Sequence, residues 1–174
     1  MHISSILTVL LLAASCAWGE IVLVEKGGQP CPIFTSASPN PHEKIAAKEL
    51  AAYLEKMSGV PFSVQAAPNP LPERGIFIGP IDPAVAVGLG TDSYRILTDK
   101  QRLHIAGGGP QGTLYGVYDF LETALGCRWW SRNEEDVPTG QATLKVGDLN
   151  LTRIPPFSIH QVWNNEAGSR ENHF

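Results

Sequence analysis

The chain has 174 residues, of which 43% are hydrophobic and 17% are charged. This length and composition allow one hydrophobic core of ordinary size and exclude a disordered or coiled-coil chain. The formal net charge is -4 and the lysines and arginines form no block, which argues against nucleic acid or an anionic membrane surface as a partner.

The N-terminus has the features of a secretory signal peptide over residues 1–19. Its apolar run is too short to span a membrane comfortably, and the small residues Ala17 and Gly19 suit cleavage before Glu20. We therefore expect an exported protein, periplasmic or extracellular, with no membrane span. Two alternatives stay open: a buried N-terminal helix, and a lipid anchor on Cys16.

Removal of the signal would leave Cys31 and Cys127 as the cysteines of the mature chain. Whether they pair stays open, because a disulfide needs a specific geometry that sequence does not give. The sequence has no C-x-x-C motif and no histidine at ligand spacing. We therefore predict no metal site.

Between residues 21 and 59 the sequence predicts a strand, a loop and a helix. Alternating β-branched residues predict the strand at residues 21–25, and the prolines and glycines of residues 27–41 predict the loop. Pro41 then opens an amphipathic helix that ends at Gly59. The predicted apolar face of this helix carries Ala47, Leu50, Ala51, Leu54 and Met57.

Two further strands are predicted before the middle of the chain, at residues 60–65 and 75–79. A proline-rich connection over residues 68–72 separates them. The second strand is short and apolar throughout, which is typical of a strand buried on both faces. Residues 82–90 are predicted to hold only a short helical turn, because a proline and two glycines interrupt them.

A hairpin and a second helix follow. Strands at residues 93–98 and 102–106 are joined by a three-residue turn, and an amphipathic helix covers residues 111–125 and ends at Gly126. Its predicted apolar face carries Leu114, Val117, Tyr118, Leu121 and Leu125. This alternation predicts an α/β (α+β) fold in which helices pack on a mixed β-sheet in two layers.

The chain changes character after Trp130. Residues 131–138 are polar and turn-like, residues 139–156 are extended with repeated breakers, and residues 157–163 are predicted to be a strand. We expect residues 20–154 to form one α/β domain. Residues 155–174 would then be a linker and the first strand of a truncated (β/α)8 barrel.

Gly107, Gly109 and Gly112 satisfy G-x-G-x-x-G between a strand and a helix, as in a dinucleotide-binding loop. Pro110, however, lacks an amide that could face a phosphate, and the preceding strand belongs to a hairpin rather than a βαβ unit. The sequence therefore favours a tight strand-to-helix bend and no cofactor. A dinucleotide-dependent oxidoreductase is the alternative.

Several residue pairs are candidates for substrate contact. Trp129 and Trp130 could stack on sugar rings, and Asn164 and Arg170 belong to a polar cluster after the last predicted strand. The alternatives are burial for the tryptophans and a surface loop for the polar pair. The acidic residues 134–136 could supply carboxylates for glycoside hydrolysis, but neighbouring carboxylates in a loop point apart, which favours a solvated surface.

Two sequence runs carry a resemblance to known families: GTLYGVYDFLE at residues 112–122 and GCRWW at residues 126–130. Together with AAKELAAYLEKMSGVPF upstream, they resemble the N-terminal domain of bacterial exported glycoside hydrolases of the family 67 alpha-glucuronidase type. The small domain that precedes the barrel of family 20 hexosaminidases is also similar. The resemblance covers about residues 21–156.

The resemblance implies that this chain is the non-catalytic N-terminal domain of an exported carbohydrate-active hydrolase. Its partners would be a carbohydrate substrate and its own C-terminal catalytic barrel. The catalytic carboxylates of such enzymes lie in that barrel, so no catalytic residue is assigned before Phe174, and the sugar and linkage stay open. The alternative is a free-standing carbohydrate-binding or interaction module without catalytic activity.

Overall fold

The computed structural model describes residues 19–131 and 133–155. Cys16, the predicted barrel strand, Asn164 and Arg170 lie outside these residues, as does the predicted signal peptide apart from Gly19. Among the described residues, none of the helices has the length and apolar character needed to cross a membrane.

The described chain alternates short strands with two long helices and one short one. In chain order the elements are β1 (Ile21–Val24), β2 (Ile33–Thr35), α1 (Pro41–Ser58), β3 (Val64–Ala66), β4 (Arg74–Ile78), α2 (Pro83–Ala86), β5 (Tyr94–Asp99), β6 (Gln101–Gly107), α3 (Gly112–Thr123), β7 (Arg128–Ser131), β8 (Glu134–Asp136), β9 (Leu144–Val146) and β10 (Asn150–Arg153).

A six-stranded mixed sheet forms the centre of the fold, in the order β10-β5-β6-β4-β2-β3. Strand β5 is antiparallel to both of its neighbours, β10 and β6, whereas β6, β4, β2 and β3 run parallel. Two small antiparallel pairs, β1 with β9 and β7 with β8, lie outside this sheet. The predicted α/β (α+β) class with a mixed sheet is confirmed, and the barrel stays a prediction.

Helix α1 is fixed at both ends by local sequence. The Asn40 side chain accepts a 2.9 Å hydrogen bond from the Glu43 amide, and the Glu43 carboxylate accepts one of 3.0 Å from the Asn40 amide. This reciprocal capping box satisfies two amides that the first turn leaves free. At the other end Gly59 adopts φ 74°, the left-handed conformation that favours glycine, and ends the helix as predicted.

The core lies between the sheet and the layer formed by α1 and α3, which contact each other. Helix α1 buries most of its predicted face and also Ala46, while α3 buries Phe120, which the predicted face omitted. The sheet contributes alternate residues that face the helices, because successive side chains of a strand point to opposite faces. These strand residues include Ile33, Ile76, Ile78, Ile96, Leu103 and Ile105.

One loop prediction and one strand prediction in the first half of the chain were wrong. The predicted loop at residues 27–41 contains β2, which pairs in parallel with both β3 and β4 and is buried along its length. The non-local pairing outweighs the loop-like composition around it. The strand predicted at residues 60–65 occurs instead at Val64–Ala66, because Pro61 cannot donate to a sheet ladder.

The interpretation of residues 131–138 as a polar turn was also wrong in part. Glu134–Asp136 is a strand, β8, which pairs antiparallel with β7. The acidic composition suggested a loop, but the partner strand provides the backbone hydrogen bonds that such a segment lacks alone. The extended character predicted further on is confirmed by β9 and β10.

Candidate functional site

Trp129 on β7 lies between two tyrosines of the helix layer. Its ring meets Tyr53 of α1 edge-on, with centroids 5.5 Å apart, and meets Tyr118 of α3 in the same manner at 5.3 Å. Its indole N–H donates a 2.7 Å hydrogen bond to the Tyr53 hydroxyl. This polar contact and the two edge-to-face pairs fix the half-buried ring in one orientation.

Glu135 on β8 completes this arrangement from the other strand of the hairpin, where it lies directly opposite Trp129. The Tyr53 hydroxyl donates a 2.6 Å hydrogen bond to its carboxylate, and Lys56 of α1 forms an ion pair with the same group. We refer to Tyr53, Lys56, Tyr118, Trp129 and Glu135 as the Trp129 cluster. It attaches the β7–β8 hairpin to both long helices.

Hydrogen bonds within the Trp129 cluster favour the ionised form of Glu135. Hydrogen bonds from Lys56 and Tyr53 lower the pKa of the Glu135 carboxyl. Burial and the bond to Glu135 raise the pKa of Tyr53 to about 12, and burial with the nearby Glu49 raises that of Tyr118 to about 12. A general acid of a glycoside hydrolase needs a raised pKa, so Glu135 is unsuited to that role.

An open cleft of about 220 Å³ lies beside the Trp129 cluster. One wall is the outer face of α1, where Glu49, Ala52, Tyr53 and Lys56 follow at helical spacing, and Glu135 forms the other. The Glu49 carboxylate accepts a 3.3 Å hydrogen bond from the Tyr118 hydroxyl. The cleft is smaller than the usual range for pockets that enclose drug-sized ligands, about 300–1,000 Å³.

Trp130 follows Trp129 on the same strand but differs from it in burial. It lies where the pairing of β7 with β8 is irregular, between Trp129 and Ser131, and its side chain is 69% exposed. The exposed residues around it on the hairpin, Arg128 and Glu134 among them, are polar. The structure thus separates the two candidate tryptophans: Trp129 is engaged within the protein, and Trp130 offers an accessible ring.

Sequence reasoning did not single out Tyr53, Lys56 or Glu49. They share the outer face of α1, and the sequence alone gives no reason to regard this face as anything but a solvated helix surface. Tyr118 was assigned to the apolar face of α3, although its hydroxyl needs a polar partner when half-buried. The spacing of Glu49, Tyr53 and Lys56 shows from the sequence that they share one face of the helix. Their contact with Glu135 is not predictable in this way, because Glu135 lies far along the chain.

The glycine loop before α3 is a tight bend, in agreement with the favoured interpretation. The Gly107 amide donates a 3.0 Å hydrogen bond to the buried Thr113 hydroxyl, and the Gly108 amide donates one of 2.9 Å to the Ser93 carbonyl. A Cβ atom at Gly107 would overlap the Thr113 backbone nitrogen, and one at Gly112 would lie 2.5 Å from the Ser93 carbonyl oxygen. These glycines permit close backbone packing, and two loop amides are already engaged.

The two cysteines of the described chain are free thiols. Cys31 and Cys127 are both buried in the core. Burial raises the pKa of Cys31 to about 11, partly offset by Arg74, and burial also raises the pKa of Cys127. Residues 19–131 and 133–155 contain no group of three or more histidine, cysteine, aspartate or glutamate side chains placed to hold a metal ion.

No protein-family model matches the chain, and a comparison with curated proteins finds no match. Solved structures do share its fold. A family 115 4-O-methyl-alpha-glucuronidase with specificity for decorated arabinogalactans is 16% identical over 78% of this chain and 18% of its own, with a TM-score of 0.52. A beta-hexosaminidase from Streptomyces plicatus is 12% identical over 81% of this chain and 24% of its own, also with a TM-score of 0.52.

These similarities establish the fold and no more, because the identities are low. A family 20 beta-N-acetylhexosaminidase from Streptomyces coelicolor is 15% identical over 76% of this chain and 23% of its own, with a TM-score of 0.49. The chain spans 18% of the alpha-glucuronidase and 24% of the Streptomyces plicatus enzyme, both of which match with a TM-score of 0.52. It therefore has the fold of a domain that occurs in these two glycoside hydrolases.

Proposed function

We propose that this chain is the non-catalytic N-terminal domain of an exported carbohydrate-active hydrolase that cleaves glycosidic bonds of polysaccharides or oligosaccharides. The supporting observation is the coverage of the structural matches: most of this chain corresponds to a minor part of two sugar-cleaving enzymes. The sequence runs at residues 112–122 and 126–130 add the resemblance to the N-terminal domains of family 67 and family 20 enzymes.

The proposed division of the chain has three parts. Residues 1–19 are the signal peptide, residues 20–154 the α/β domain, and residues 155–174 the linker and the beginning of the catalytic barrel. The end of the sheet supports the second boundary, because β10 completes one edge and two prolines follow soon after it. Prolines and few crossing contacts are typical of domain boundaries.

Carbohydrate contacts are proposed at Trp129 and Trp130 of this domain and at Asn164 and Arg170 of the segment that follows it. The accessible ring of Trp130 on a firmly attached hairpin supports its role, because a sugar face can stack on an indole without displacing other groups. Trp129 would in addition hold the hairpin in place. The domain would then form part of the wall of an active site whose carboxylates lie in the barrel.

A free-standing carbohydrate-binding module is the second candidate, and the same exposed indole favours it. The two functions require different coding sequences after residue 174. A hydrolase requires several hundred further residues with alternating strands and helices, whereas a module requires none. Reading the coding sequence past Phe174 separates them, and a stop codon there would exclude the hydrolase.

The non-catalytic role is tested by assay of residues 20–174 on aryl glucuronides and aryl hexosaminides. We expect no release of the aryl group above background, because the catalytic carboxylates of the proposed hydrolase would lie in the barrel and not in these residues. Turnover that is abolished by Glu135→Gln would overturn the proposal. The same assay on the natural full-length protein is the positive control.

A further inference from the structure

The open cleft between α1 and the β7–β8 hairpin combines polar side chains with a volume of about 220 Å³. Its lining residues are Glu49, Ala52, Tyr53, Lys56 and Glu135. Four of these side chains are polar, and the methyl group of Ala52 is small enough to leave space between them. We refer to this space as the α1 cleft.

Glu49 brings free hydrogen-bond acceptors to the α1 cleft. Its carboxylate has two oxygens with about four lone-pair sites. Within residues 19–131 and 133–155, Tyr118 is the one side chain that donates a hydrogen bond to Glu49, at 3.3 Å, and no lysine or arginine forms an ion pair with it. The remaining lone pairs can accept hydrogen bonds from a ligand.

Lys56 and Glu135 add both donors and acceptors. Tyr53 donates to one oxygen of the Glu135 carboxylate, and Lys56 donates to the other. An ammonium group has three N–H donors and each carboxylate oxygen has two lone pairs, so neither group is saturated by these bonds. Both side chains are partly exposed. The ion pair can therefore bond a ligand without breaking.

The two carboxylates lie near the same phenol. Burial, followed by the charge and hydrogen bond of Glu49 and then by the charge of Glu135, raises the pKa of Tyr118 to about 12. Glu49 and Glu135 carry one negative charge each and Lys56 carries one positive charge, so the lining has a net charge of -1. Like charges repel, and an anionic ligand is therefore disfavoured.

A metal ion does not suit the α1 cleft either. In the described part of the chain no three histidine, cysteine, aspartate or glutamate side chains are placed to hold one. The ammonium of Lys56 also lies against Glu135 and would repel a cation. The groups that remain free favour an uncharged ligand that both donates and accepts hydrogen bonds.

The hydroxyl groups of a neutral sugar match these requirements. Each hydroxyl donates one hydrogen bond and accepts two, so neighbouring hydroxyls can donate to Glu49 and Glu135 while one accepts from Lys56. Hydrogen bonds to charged groups are stronger than those between neutral groups. The volume lies below the range of about 300–1,000 Å³ for drug-sized ligands, which favours one sugar ring over a longer segment.

We propose that the α1 cleft binds one ring of a neutral saccharide through its hydroxyl groups and discriminates against uronic acids. The proposal rests on the proposed function, in which this domain meets carbohydrate, and it adds a second contact to that of Trp130. Stacking on the Trp130 ring would not distinguish neutral from acidic sugars by charge. Glu49 and Glu135 would supply that discrimination.

The indole N–H signals of the mature chain, residues 20–174, can report binding in solution. The tryptophans of this chain are Trp129, Trp130 and Trp163, and single Trp→Phe variants assign their NMR signals. The Trp129 indole N–H donates to the Tyr53 hydroxyl, which in turn donates to Glu135. A sugar that bonds Glu135 changes this chain of hydrogen bonds and shifts the Trp129 signal. The Trp130 signal reports the exposed ring.

The probes are methyl glycosides of glucose and galactose, each compared with the matching glucuronic or galacturonic acid glycoside. These pairs differ only in the carboxylate. We expect a saturable shift of the Trp129 signal with at least one neutral glycoside, at millimolar concentration because a single ring makes few contacts. The acidic partner of that glycoside should bind several-fold more weakly.

Glu49→Gln should weaken binding of the neutral glycoside several-fold and reduce the preference over its acidic partner. Glu55→Gln is the matched control, because Glu55 is an exposed glutamate of the same helix that does not line the cleft. Ala52→Leu, at an exposed position of α1, should fill the cleft and abolish the shift.

Three outcomes would overturn the proposal: no saturable shift at Trp129, equal binding of neutral and acidic glycosides, or equal effects of Glu49→Gln and Glu55→Gln. Each of them leaves the proposed function standing. The coding sequence past Phe174 decides the proposed function independently, so the two failures are distinguishable.

Discussion

The hydroxyl of Tyr53 donates a 2.6 Å hydrogen bond to the carboxylate of Glu135, which lies 82 residues further along the chain. The same hydroxyl accepts the indole N–H of Trp129. One phenol thus connects α1 to both strands of the β7–β8 hairpin, and the accessible ring of Trp130 is carried by that hairpin. The presentation of the candidate sugar-binding ring depends on a contact between distant parts of the sequence.

Tyr53→Phe removes the hydrogen bond to Glu135 and the acceptor for Trp129 while it keeps the ring. We expect the free energy of unfolding to fall by about 1 kcal/mol, the usual net value of such a bond at a partly exposed site. Urea unfolding of the two proteins measures it. Tyr115→Phe is the control, because its hydroxyl bonds Gln111 on the exposed surface, and an equal loss there would contradict the special role of Tyr53.

The ion pair of Lys56 with Glu135 is expected to contribute modestly and to depend on pH. A double-mutant cycle with Lys56→Met and Glu135→Gln should give a coupling of about 0.5 kcal/mol at neutral pH, since both groups are partly exposed. The pKa of Glu135 is lowered in the folded state. The ion pair therefore contributes its full stabilisation above pH 4.5, the ordinary pKa of a glutamate. This stabilisation is lost as the pH falls through the lower pKa that Glu135 has in the folded protein. A coupling that grew on acidification would refute this assignment.

Gly107→Ala is expected to lower the free energy of unfolding by about 3 kcal/mol or more, because the added methyl would overlap the Thr113 backbone in a closely packed bend. Gly109→Ala is the matched control. Its added methyl would lie 3.3 Å from its nearest neighbours, among them the Asp92 amide nitrogen, so we expect a loss of less than about 1 kcal/mol. Chemical unfolding of both variants makes the comparison, and similar losses would show that the close approach at Gly107 is unimportant.

His104 should make the stability depend on pH. It stacks on Phe77 with ring centroids 4.9 Å apart. Burial lowers its pKa below the usual 6.5, with Asp82 and Asp99 opposing this shift and Arg102 adding to it. The unfolded chain therefore binds the proton more readily, so stability is complete above pH 6.5 and falls as the pH drops below it.

The variant His104→Phe keeps a ring on Phe77 and cannot bind the proton. We measure the unfolding midpoint between about pH 5.5 and 7.5. It should fall with decreasing pH in the parent protein, and this fall should be absent from the variant. His42→Gln, on the first turn of α1, controls for the removal of a histidine elsewhere. A slope unchanged by His104→Phe would assign the pH dependence to other groups.

The two neighbouring tryptophans should respond differently to truncation. Trp129→Ala removes a half-buried ring with two aromatic partners, and we expect a loss of about 2 kcal/mol in the free energy of unfolding. Trp130→Ala should change stability by less than about 0.5 kcal/mol, because that ring is 69% exposed. It should instead weaken binding to oligosaccharides, measured by calorimetry or on a glycan array. Unchanged sugar binding in Trp130→Ala would remove this residue from the proposed contact surface.

Local sequence determined the helices, the β5–β6 hairpin and the bend before α3. Each depends on residues a few positions apart: the capping box at Asn40 and Glu43, the stop at Gly59, and the apolar period of α3. The class of fold followed from their alternation. The sequence runs at residues 112–122 and 126–130 indicated, by their resemblance alone, a domain of the glycoside hydrolase type.

Apart from the β5–β6 hairpin, tertiary structure alone decided which strands pair, and it decided which side chains form the site. Strand β2 looked like a loop, and β8 like an acidic turn, because their stability comes from partners far along the chain. The Trp129 cluster assembles for the same reason: Tyr53 and Glu135 meet only after the hairpin folds onto the helix layer. Hydrophobic periodicity and helix caps depend on residues that are a few positions apart in the sequence. Cross-strand pairing and side-chain networks depend on how the whole chain packs.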